Sequence, residues 1–179
     1  MGYAGGTKED PTYQALGDHT EVIQVDYNPD KTSYEQLLKV FWSNHDPTSQ
    51  AWKRQYWNAI FVQNETQADQ AETSLDAIKD ELSGTVQTKI LPIRSFTRAE
   101  QYHQKYYLQQ RPTLVQKLQQ PFSDLKSFLD STVAARANAF IAREISEDTL
   151  RELLDDATYS TLSPERLERT ETIICGTKK

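Results

Sequence analysis

The stretch Thr-Glu-Val-Ile-Gln-Val-Asp-Tyr at residues 20–27, followed by Asn-Pro-Asp-Lys at residues 28–31, decides the fold class. Its side chains alternate between two faces, and β-branched residues stand on both, which is the pattern of a strand. The next four residues have turn chemistry, so the strand ends there. Ser33 follows as a helix N-cap with Gln36 three positions on, the arrangement of a capping box. The sequence therefore predicts a strand, a tight turn and a helix in succession.

The next elements extend the same alternation of strands and helices. The helix that begins at Ser33 carries an apolar stripe at helical spacing. A second strand is predicted over residues 56–62, a helix over 65–82 and a third strand over 88–93. Pro92 in that third strand indicates a sheet edge or a bulge, because proline cannot donate to a strand ladder. This order predicts an α+β sandwich with helices over one sheet.

The pattern changes after Arg98 and becomes helical from Thr113 to the end of the chain. Prolines interrupt it, and Ser163-Pro164 is the favoured start of a last helix. We therefore expect two parts, an α+β domain over residues 1–112 and a helical C-terminal extension over residues 113–179. The tail from Cys175 to Lys179 is expected to fray.

Composition excludes several classes of protein. Hydrophobic residues make up 37% of the 179 residues, yet three Trp, nine Tyr and six Phe can build an aromatic core, so a wholly disordered chain is not expected. The net charge of -6 argues against a nucleic-acid or anionic-membrane surface. Neither a signal-peptide pattern nor a long apolar run is present. We expect a soluble, cytoplasmic protein with no nucleic-acid or membrane partner.

Four motifs in order and spacing point to a known family. They are Gly-Tyr-Ala-Gly-Gly-Thr at residues 2–7, Asp-His-Thr-Glu-Val at 18–22, Asn-His-Asp-Pro-Thr at 44–48 and Arg-Gln-Tyr at 54–56. The set resembles the A-type methionine sulfoxide reductases, which return methionine-S-sulfoxide to methionine. The resemblance implies a ferredoxin-like α/β sandwich. In that family a strand, a Gly-Cys-Phe-Trp-Gly turn and a helix precede the first motif, so we expect this sandwich to be incomplete at its N-terminus.

The resemblance also implies a set of catalytic residues. Reduction of a sulfoxide by a thiol needs a reactive cysteine, a proton donor and donors that hold the oxygen. Glu21 matches the family's proton donor, and Tyr3 and Tyr56 match two phenols that bind the sulfoxide oxygen. From the residues alone, a carboxylate such as Glu21 at a strand end is more often merely solvated, and both tyrosines are ordinary core aromatics. Trp52 is either part of a methyl-binding pocket or an aromatic that covers the surface.

Two departures concern the cysteines. The chain has one cysteine, Cys175, which excludes an intrachain disulfide and a multi-cysteine zinc site. Pro11-Thr12-Tyr13 is not followed by the cysteine that family members often carry, and Ala51 stands where many carry Asp. Cys175 occupies the tail position of the family's resolving cysteines, so it is a possible resolving thiol, although an inert cysteine is the simpler interpretation.

Histidines do not predict a metal site. His45 follows a helix and is expected to bond the last carbonyls of that helix. His19 and Glu21 are close in sequence, but two ligands do not make a site, and a solvated loop is the expected setting. We expect neither a metal nor a cofactor.

Three functional hypotheses remain open from the sequence. The first is a reductase truncated at its N-terminus, acting on free or protein-bound methionine sulfoxide with a thioredoxin-like reductant, and inactive as written for want of the catalytic cysteine. The second is a non-catalytic module that binds methionine sulfoxide or a partner. The third is a relic without function. A missing strand would leave a sheet edge open, so such a chain should associate unless something covers the edge.

Overall fold

The computed structural model describes residues 1–155 and 171–176, with side chains as far as residue 152. These residues form two compact units, one made of Met1–Ala99 together with the C-terminal strand and one that begins at Glu100. The fold is α+β. No helix in the described parts of the chain is both long and apolar enough to cross a membrane.

A six-stranded mixed sheet organises the first unit, in the order β4-β3-β6-β2-β1-β5. Only β3 and β4 run parallel, and the other neighbours are antiparallel. The strands are β1 Gly2–Ala4, β2 Thr20–Tyr27, β3 Ala59–Val62, β4 Lys89–Pro92, β5 Phe96–Arg98 and β6 Glu171–Gly176. Proline in β4 is tolerated because this strand lies at the edge of the sheet, as the sequence predicted.

Two helices cover one face of the sheet. Helix α1 (Tyr34–Ser43) begins with the predicted capping box between Ser33 and Gln36, and helix α2 (Glu65–Lys79) is capped by Asn64. Their apolar sides join the inward residues of the sheet in one core: Tyr27, Tyr34, Leu38, Phe41, Trp42, Ile60, Val62 and Ala71. A smaller cluster of Ala4, Val22, Ala59 and Phe61 packs around other residues of β1, β2 and β3.

The second unit is helical and has a core of its own. Its helices are α3 Tyr106–Gln109, α4 Pro112–Leu118, α5 Leu125–Leu129, α6 Thr132–Ile141 and α7 Glu147–Asp155. They enclose Leu108, Phe128, Leu129, Val133, Ala134 and Ala137. Serines and an aspartate cap α5, α6 and α7, which satisfies backbone N–H groups that a helix start leaves open.

The structure differs from the sequence-based expectation in three places. The C-terminal segment is not helical or frayed throughout, because residues 171–176 form β6, which pairs with β2 and β3 at once. The two units divide after Ala99 rather than near residue 112, and β6 belongs to the first. Residues 54–56 form a short 3-10 helix, so the strand predicted from residue 56 begins at Ala59. The helix expected from Ser163 lies outside the described residues.

Candidate active site

Glu21 lies near the start of β2 with only 7% of its surface exposed. It stands directly opposite Tyr3 of β1, and cross-strand partners of this kind share one face of a sheet. Gln55 donates a hydrogen bond from Nε2 to Oε1 of Glu21 at 2.5 Å. The Glu21 carboxyl group is therefore buried and hydrogen-bonded. It is not the solvated carboxylate that the sequence allowed at a strand end.

The short 3-10 helix Arg54–Tyr56 brings the side chains of Gln55 and Tyr56 to Glu21. Thr20 at the start of β2 donates from Oγ1 to the Arg54 carbonyl at 3.0 Å. The Arg54 guanidinium donates to the Gly5 carbonyl at 2.7 Å and lies 5.2 Å from the Trp57 ring centre, a cation–π distance. These contacts fix the segment against β2 and against the turn after β1.

Tyr56 and Tyr13 form a pair of phenols beside the carboxyl group. Partial burial raises the pKa of Tyr56 above its usual value of 10, and the Tyr13 phenol, which hydrogen-bonds to it, and the charge of Glu21 raise it further. A phenol with a raised pKa stays protonated at neutral pH and can donate a hydrogen bond. Sequence reasoning missed Tyr13, whose signal was its place in Pro11-Thr12-Tyr13. Its side chain is 36% exposed, so the pair reaches the surface.

Tyr3 and Trp52, two predicted site residues, take different positions. Tyr3, the cross-strand partner of Glu21, is 1% exposed. It packs with Leu16 and Ala99 in the interior of the unit. Trp52 is 90% exposed in the loop before the 3-10 helix. A methyl-binding role for Trp52 stays a prediction.

Cys175 lies in β6, at the centre of the sheet. Its backbone pairs with Ile23 of β2 and Ile60 of β3. Ile23 is two residues beyond Glu21 on β2, so the Cys175 backbone lies on the strand beside the one that carries the carboxyl group.

The glycine-rich turn after β1 is held by the motif around His19. Asp18 accepts from the Thr7 backbone N–H at 2.8 Å, and this bond is the main cause that lowers its pKa to about 2. His19 is 1% exposed, accepts from the Gly6 N–H through Nδ1 at 3.3 Å and donates from Nε2 to the Lys8 carbonyl at 2.8 Å. The solvated loop expected at His19 is therefore wrong, because both ring nitrogens bond to backbone.

His45 takes the structural role predicted from the sequence. It donates from Nδ1 to the Phe41 carbonyl at 2.8 Å, near the end of α1, and its Nε2 lies 2.9 Å from the Thr88 hydroxyl. Within residues 1–155 and 171–176, no three His, Cys, Asp or Glu side chains are grouped so that they could hold a metal ion.

The arrangement suits proton transfer to an oxygen atom. Glu21 is a carboxyl group in a buried setting, and the Tyr13–Tyr56 pair offers neutral hydroxyl donors beside it. Hydrogen-bond donors that are already oriented stabilise negative charge on an oxygen more strongly than water does. A carboxyl group beside such donors can protonate that oxygen as it leaves.

Comparison with known proteins gives a consistent match. A family model described as peptide methionine sulfoxide reductase matches residues 1–137. The peptide methionine sulfoxide reductase A5 of Oryza sativa is 39% identical over an alignment of 157 residues that covers 83% of this chain and 60% of that protein. A peptide methionine sulfoxide reductase of Drosophila melanogaster is 38% identical over an alignment of 144 residues that covers 79% of this chain and 57% of that protein. The chain thus spans somewhat more than half the length of these relatives.

Solved structures agree with the sequence matches. Methionine sulfoxide reductase A of Corynebacterium diphtheriae is similar with a TM-score of 0.56 and 30% identity, over 62% of each chain. Reduced Mxr1 from Saccharomyces cerevisiae gives the same TM-score with 28% identity, over 62% of this chain and 69% of that one.

Proposed function

The chain belongs to the peptide methionine sulfoxide reductase family, and from this we propose that it binds methionine-S-sulfoxide and supplies the acid and the oxygen-binding groups for its reduction to methionine. The observation that carries the proposal is the buried Glu21 carboxyl group beside the hydrogen-bonded Tyr13 and Tyr56 phenols. The substrate is methionine sulfoxide, free or in a protein, and the S preference follows the family resemblance. A ferredoxin-like arrangement of the sandwich is part of the same proposal.

Each group has a defined part in the reaction. The two phenols donate hydrogen bonds to the sulfoxide oxygen and hold it beside Glu21. Glu21 protonates that oxygen as a thiolate attacks the sulfur, which lowers the charge that would build on the oxygen. Over the whole cycle the oxygen leaves as water with two protons. Two electrons come from two thiols, which are oxidised to a disulfide, and a thioredoxin-like dithiol restores them.

The described site does not identify the thiol that attacks the sulfoxide sulfur. Cys175 is the one cysteine of the sequence, and in the family resemblance it fits a resolving role rather than that of the nucleophile. We therefore expect no turnover of methionine-S-sulfoxide by this chain with dithiothreitol or thioredoxin. Turnover that the Cys175→Ser variant abolishes would instead make Cys175 the nucleophile.

Binding of the sulfoxide tests the proposal without requiring turnover. The wild-type chain should bind N-acetyl-methionine-(S)-sulfoxide more tightly than N-acetyl-methionine, because only the sulfoxide offers an oxygen to Glu21 and the phenols. Glu21→Gln, Tyr13→Phe and Tyr56→Phe should each lower the sulfoxide affinity about fivefold to thirtyfold, the effect of losing one or two hydrogen bonds. The affinities are measured by NMR titration. Equal binding of sulfoxide and methionine by the wild-type chain would refute the proposed site.

A second candidate is a non-catalytic module that binds methionine sulfoxide or a partner protein. It is favoured by one observation, that the sole cysteine lies in a central strand rather than in the loops around Glu21. Turnover with any thiol reductant would exclude this candidate, because a non-catalytic module binds the sulfoxide without reducing it.

A further inference from the structure

Trp52 is the most exposed large apolar residue among the side chains that the structure describes, with 90% of its surface open to solvent. It lies in the loop that leads into the 3-10 helix Arg54–Tyr56. A single exposed apolar residue is common on protein surfaces and by itself indicates no binding. Trp52 differs in two respects, because its loop is held on both sides and leads directly into the residues at the Glu21 carboxyl group.

Gln50 closes the base of this loop. Its side-chain amide donates from Nε2 to the Asn58 carbonyl and to the Gln87 carbonyl, both at 3.1 Å. Its Oε1 accepts from the Asn58 backbone N–H at 2.7 Å, and the Asn58 side chain donates to the Ser49 carbonyl at 3.1 Å. Asn58 is buried, so water competes little for these bonds. Residues 50 and 58 are therefore held together on either side of Trp52.

The second half of the loop is bonded to the sheet unit. Thr20 of β2 donates to the Arg54 carbonyl, and the Arg54 guanidinium donates to the Gly5 carbonyl. Arg54 is two residues after Trp52, so the backbone that carries the indole is ordered before any partner binds. An aromatic side chain on an ordered backbone loses little conformational entropy when a partner covers it, which suits it to anchor a binding partner.

The chain itself limits how far Trp52 can lie from the candidate site. Tyr56 is four residues further on, so the two Cα atoms are at most about 14 Å apart. The Tyr56 phenol lies close enough to Glu21 for the carboxylate charge to raise its pKa. An extended polypeptide advances about 3.3 Å per residue. A bound chain whose sulfoxide meets Glu21 therefore comes within reach of Trp52 about four residues away from the sulfoxide.

The exposure of Trp52 favours a contact with such a chain over a role in enclosing the methyl group of the substrate. Pockets for small groups cover most of the surface of the group that they bind, whereas the Trp52 ring stands almost entirely in solvent. An apolar side chain of a polypeptide that packs on this ring removes apolar area of both partners from water, which is favourable.

We propose that Trp52 is a specificity-determining residue, which packs against an apolar side chain of the polypeptide that flanks a protein-bound methionine sulfoxide. This inference rests on the proposed function and narrows its substrate class to methionine sulfoxide within an apolar stretch of protein. It assigns to Trp52 an effect on the affinity for peptides and none on the affinity for the sulfoxide group alone.

Four ligands separate the flanking chain from the sulfoxide. Two are N-acetyl-methionine-(S)-sulfoxide and N-acetyl-methionine. The third is a nonapeptide with methionine-(S)-sulfoxide at its centre, leucine at the second and third positions on each side and serine elsewhere. Successive residues of an extended chain point to opposite faces, so one leucine of each pair faces the protein. The fourth is the same nonapeptide with serine at every flanking position.

The proteins are the wild type, Trp52→Ala, Trp52→Phe and the control Val40→Ala. Val40 is a suitable control because it is an apolar residue of α1 that is 59% exposed and lies outside the loop and the strands that form the site. Affinities are measured by NMR titration, with circular dichroism to confirm folding.

The leucine peptide should bind the wild type about fivefold to thirtyfold more tightly than the serine peptide, the effect of one anchoring aromatic contact. Trp52→Ala should remove this difference, Trp52→Phe should keep most of it, and Val40→Ala should match the wild type. All four proteins should bind N-acetyl-methionine-(S)-sulfoxide equally. Tryptophan fluorescence is a second readout, since the leucine peptide should shift the emission of the wild type to shorter wavelength and that of Trp52→Ala much less.

The outcomes separate this role from the function on which it rests. If the wild type prefers N-acetyl-methionine-(S)-sulfoxide to N-acetyl-methionine but binds the two nonapeptides equally, or if Trp52→Ala keeps the wild-type difference between them, the role of Trp52 is overturned and the function stands. An equal loss of affinity for N-acetyl-methionine-(S)-sulfoxide and for the leucine peptide in Trp52→Ala also overturns it, because the ring then contacts the sulfoxide side chain itself. If the wild type shows no preference for the sulfoxide, the proposed function fails and the role of Trp52 fails with it.

Discussion

At the scale of single residues, the neighbours of a side chain decide its role more than its motif does. Tyr3 lies in β1 and Tyr13 in the turn segment between β1 and β2. Tyr3 is enclosed by Leu16 and Ala99, whereas Tyr13 reaches the Tyr56 hydroxyl and remains partly exposed. A substrate from solution meets Tyr13 more readily, although Tyr3 is the phenol that the motif singles out.

Substitution of Gly5 tests whether the turn after β1 requires glycine. Its φ is +78°, and a Cβ there would lie 2.3 Å from the Phe61 ring. Gly5→Ala should lower the free energy of unfolding by about 2–4 kcal/mol, since backbone strain adds to overpacking. The measurement is urea denaturation followed by tryptophan fluorescence.

Gly84→Ala is the matched control for that substitution. Gly84 is exposed, has no positive φ, and its nearest neighbours would lie 3.5 Å from a new Cβ, at Thr48. Its effect should stay within about 0.5 kcal/mol. If Gly5→Ala were as mild as Gly84→Ala, the turn would not require glycine at this position.

At the scale of elements, the imidazole of His45 links the end of α1 to the segment just before β4. His45 joins the Phe41 carbonyl at the end of α1 to the Thr88 hydroxyl just before β4. Burial lowers the pKa of His45 below 6.5, and the Phe41 carbonyl and Asp46 oppose that shift without cancelling it. The neutral imidazole is therefore the form that the fold favours.

This shift predicts a pH dependence of stability. Because the folded pKa lies below the unfolded one, the unfolded chain binds more protons between the two values, and stability falls as the pH drops below about 6.5. Thermal unfolding between pH 7 and pH 5 should show a falling Tm for the wild type and a flatter profile for His45→Gln. The carboxyl groups with lowered pKa, such as Asp18, change the stability of the fold at lower pH than His45 does. Parallel profiles for the two proteins would contradict this role.

Elements with a strong local pattern were predictable. Strand β2, the capping box of α1, helix α2 and the edge position of β4 all follow from periodicity, capping and proline. Strands β1 and β5 are three residues each, which is too short for a period to appear. They are strands because each pairs with a neighbour that is distant in sequence.

At the scale of the whole molecule, the sheet is continuous because of β6. This strand lies between β2 and β3, and without it each of them would present an open edge. The C-terminal segment covers the facing edges of β2 and β3, which is the condition under which association through these edges is not expected. The chain closes its first unit with residues that follow the second unit in sequence.

Proline in β6 tests that closure. Ile174 pairs with both Gln24 and Phe61, so Ile174→Pro should remove a ladder bond in the middle of the sheet. We expect a loss of about 2–4 kcal/mol of stability and association of the exposed edges. Urea denaturation and size-exclusion chromatography with light scattering measure the two effects.

The control for this test is Glu171→Pro, at the first position of β6, where proline is tolerated best. It should leave the protein monomeric and close to wild-type stability. A monomeric Ile174→Pro variant of wild-type stability would show that β6 does not hold the sheet together.

The sequence by itself determined the α+β class, the family, and Glu21 and Tyr56 as candidate site residues, because strand and helix periods, caps and short motifs are local. The tertiary structure alone decided the place of β6, the pairing of Tyr13 with Tyr56 and the bond from Gln55 to Glu21. Each of these joins segments that are far apart in sequence. Local pattern carries no information about such contacts, which depend on how the whole chain packs.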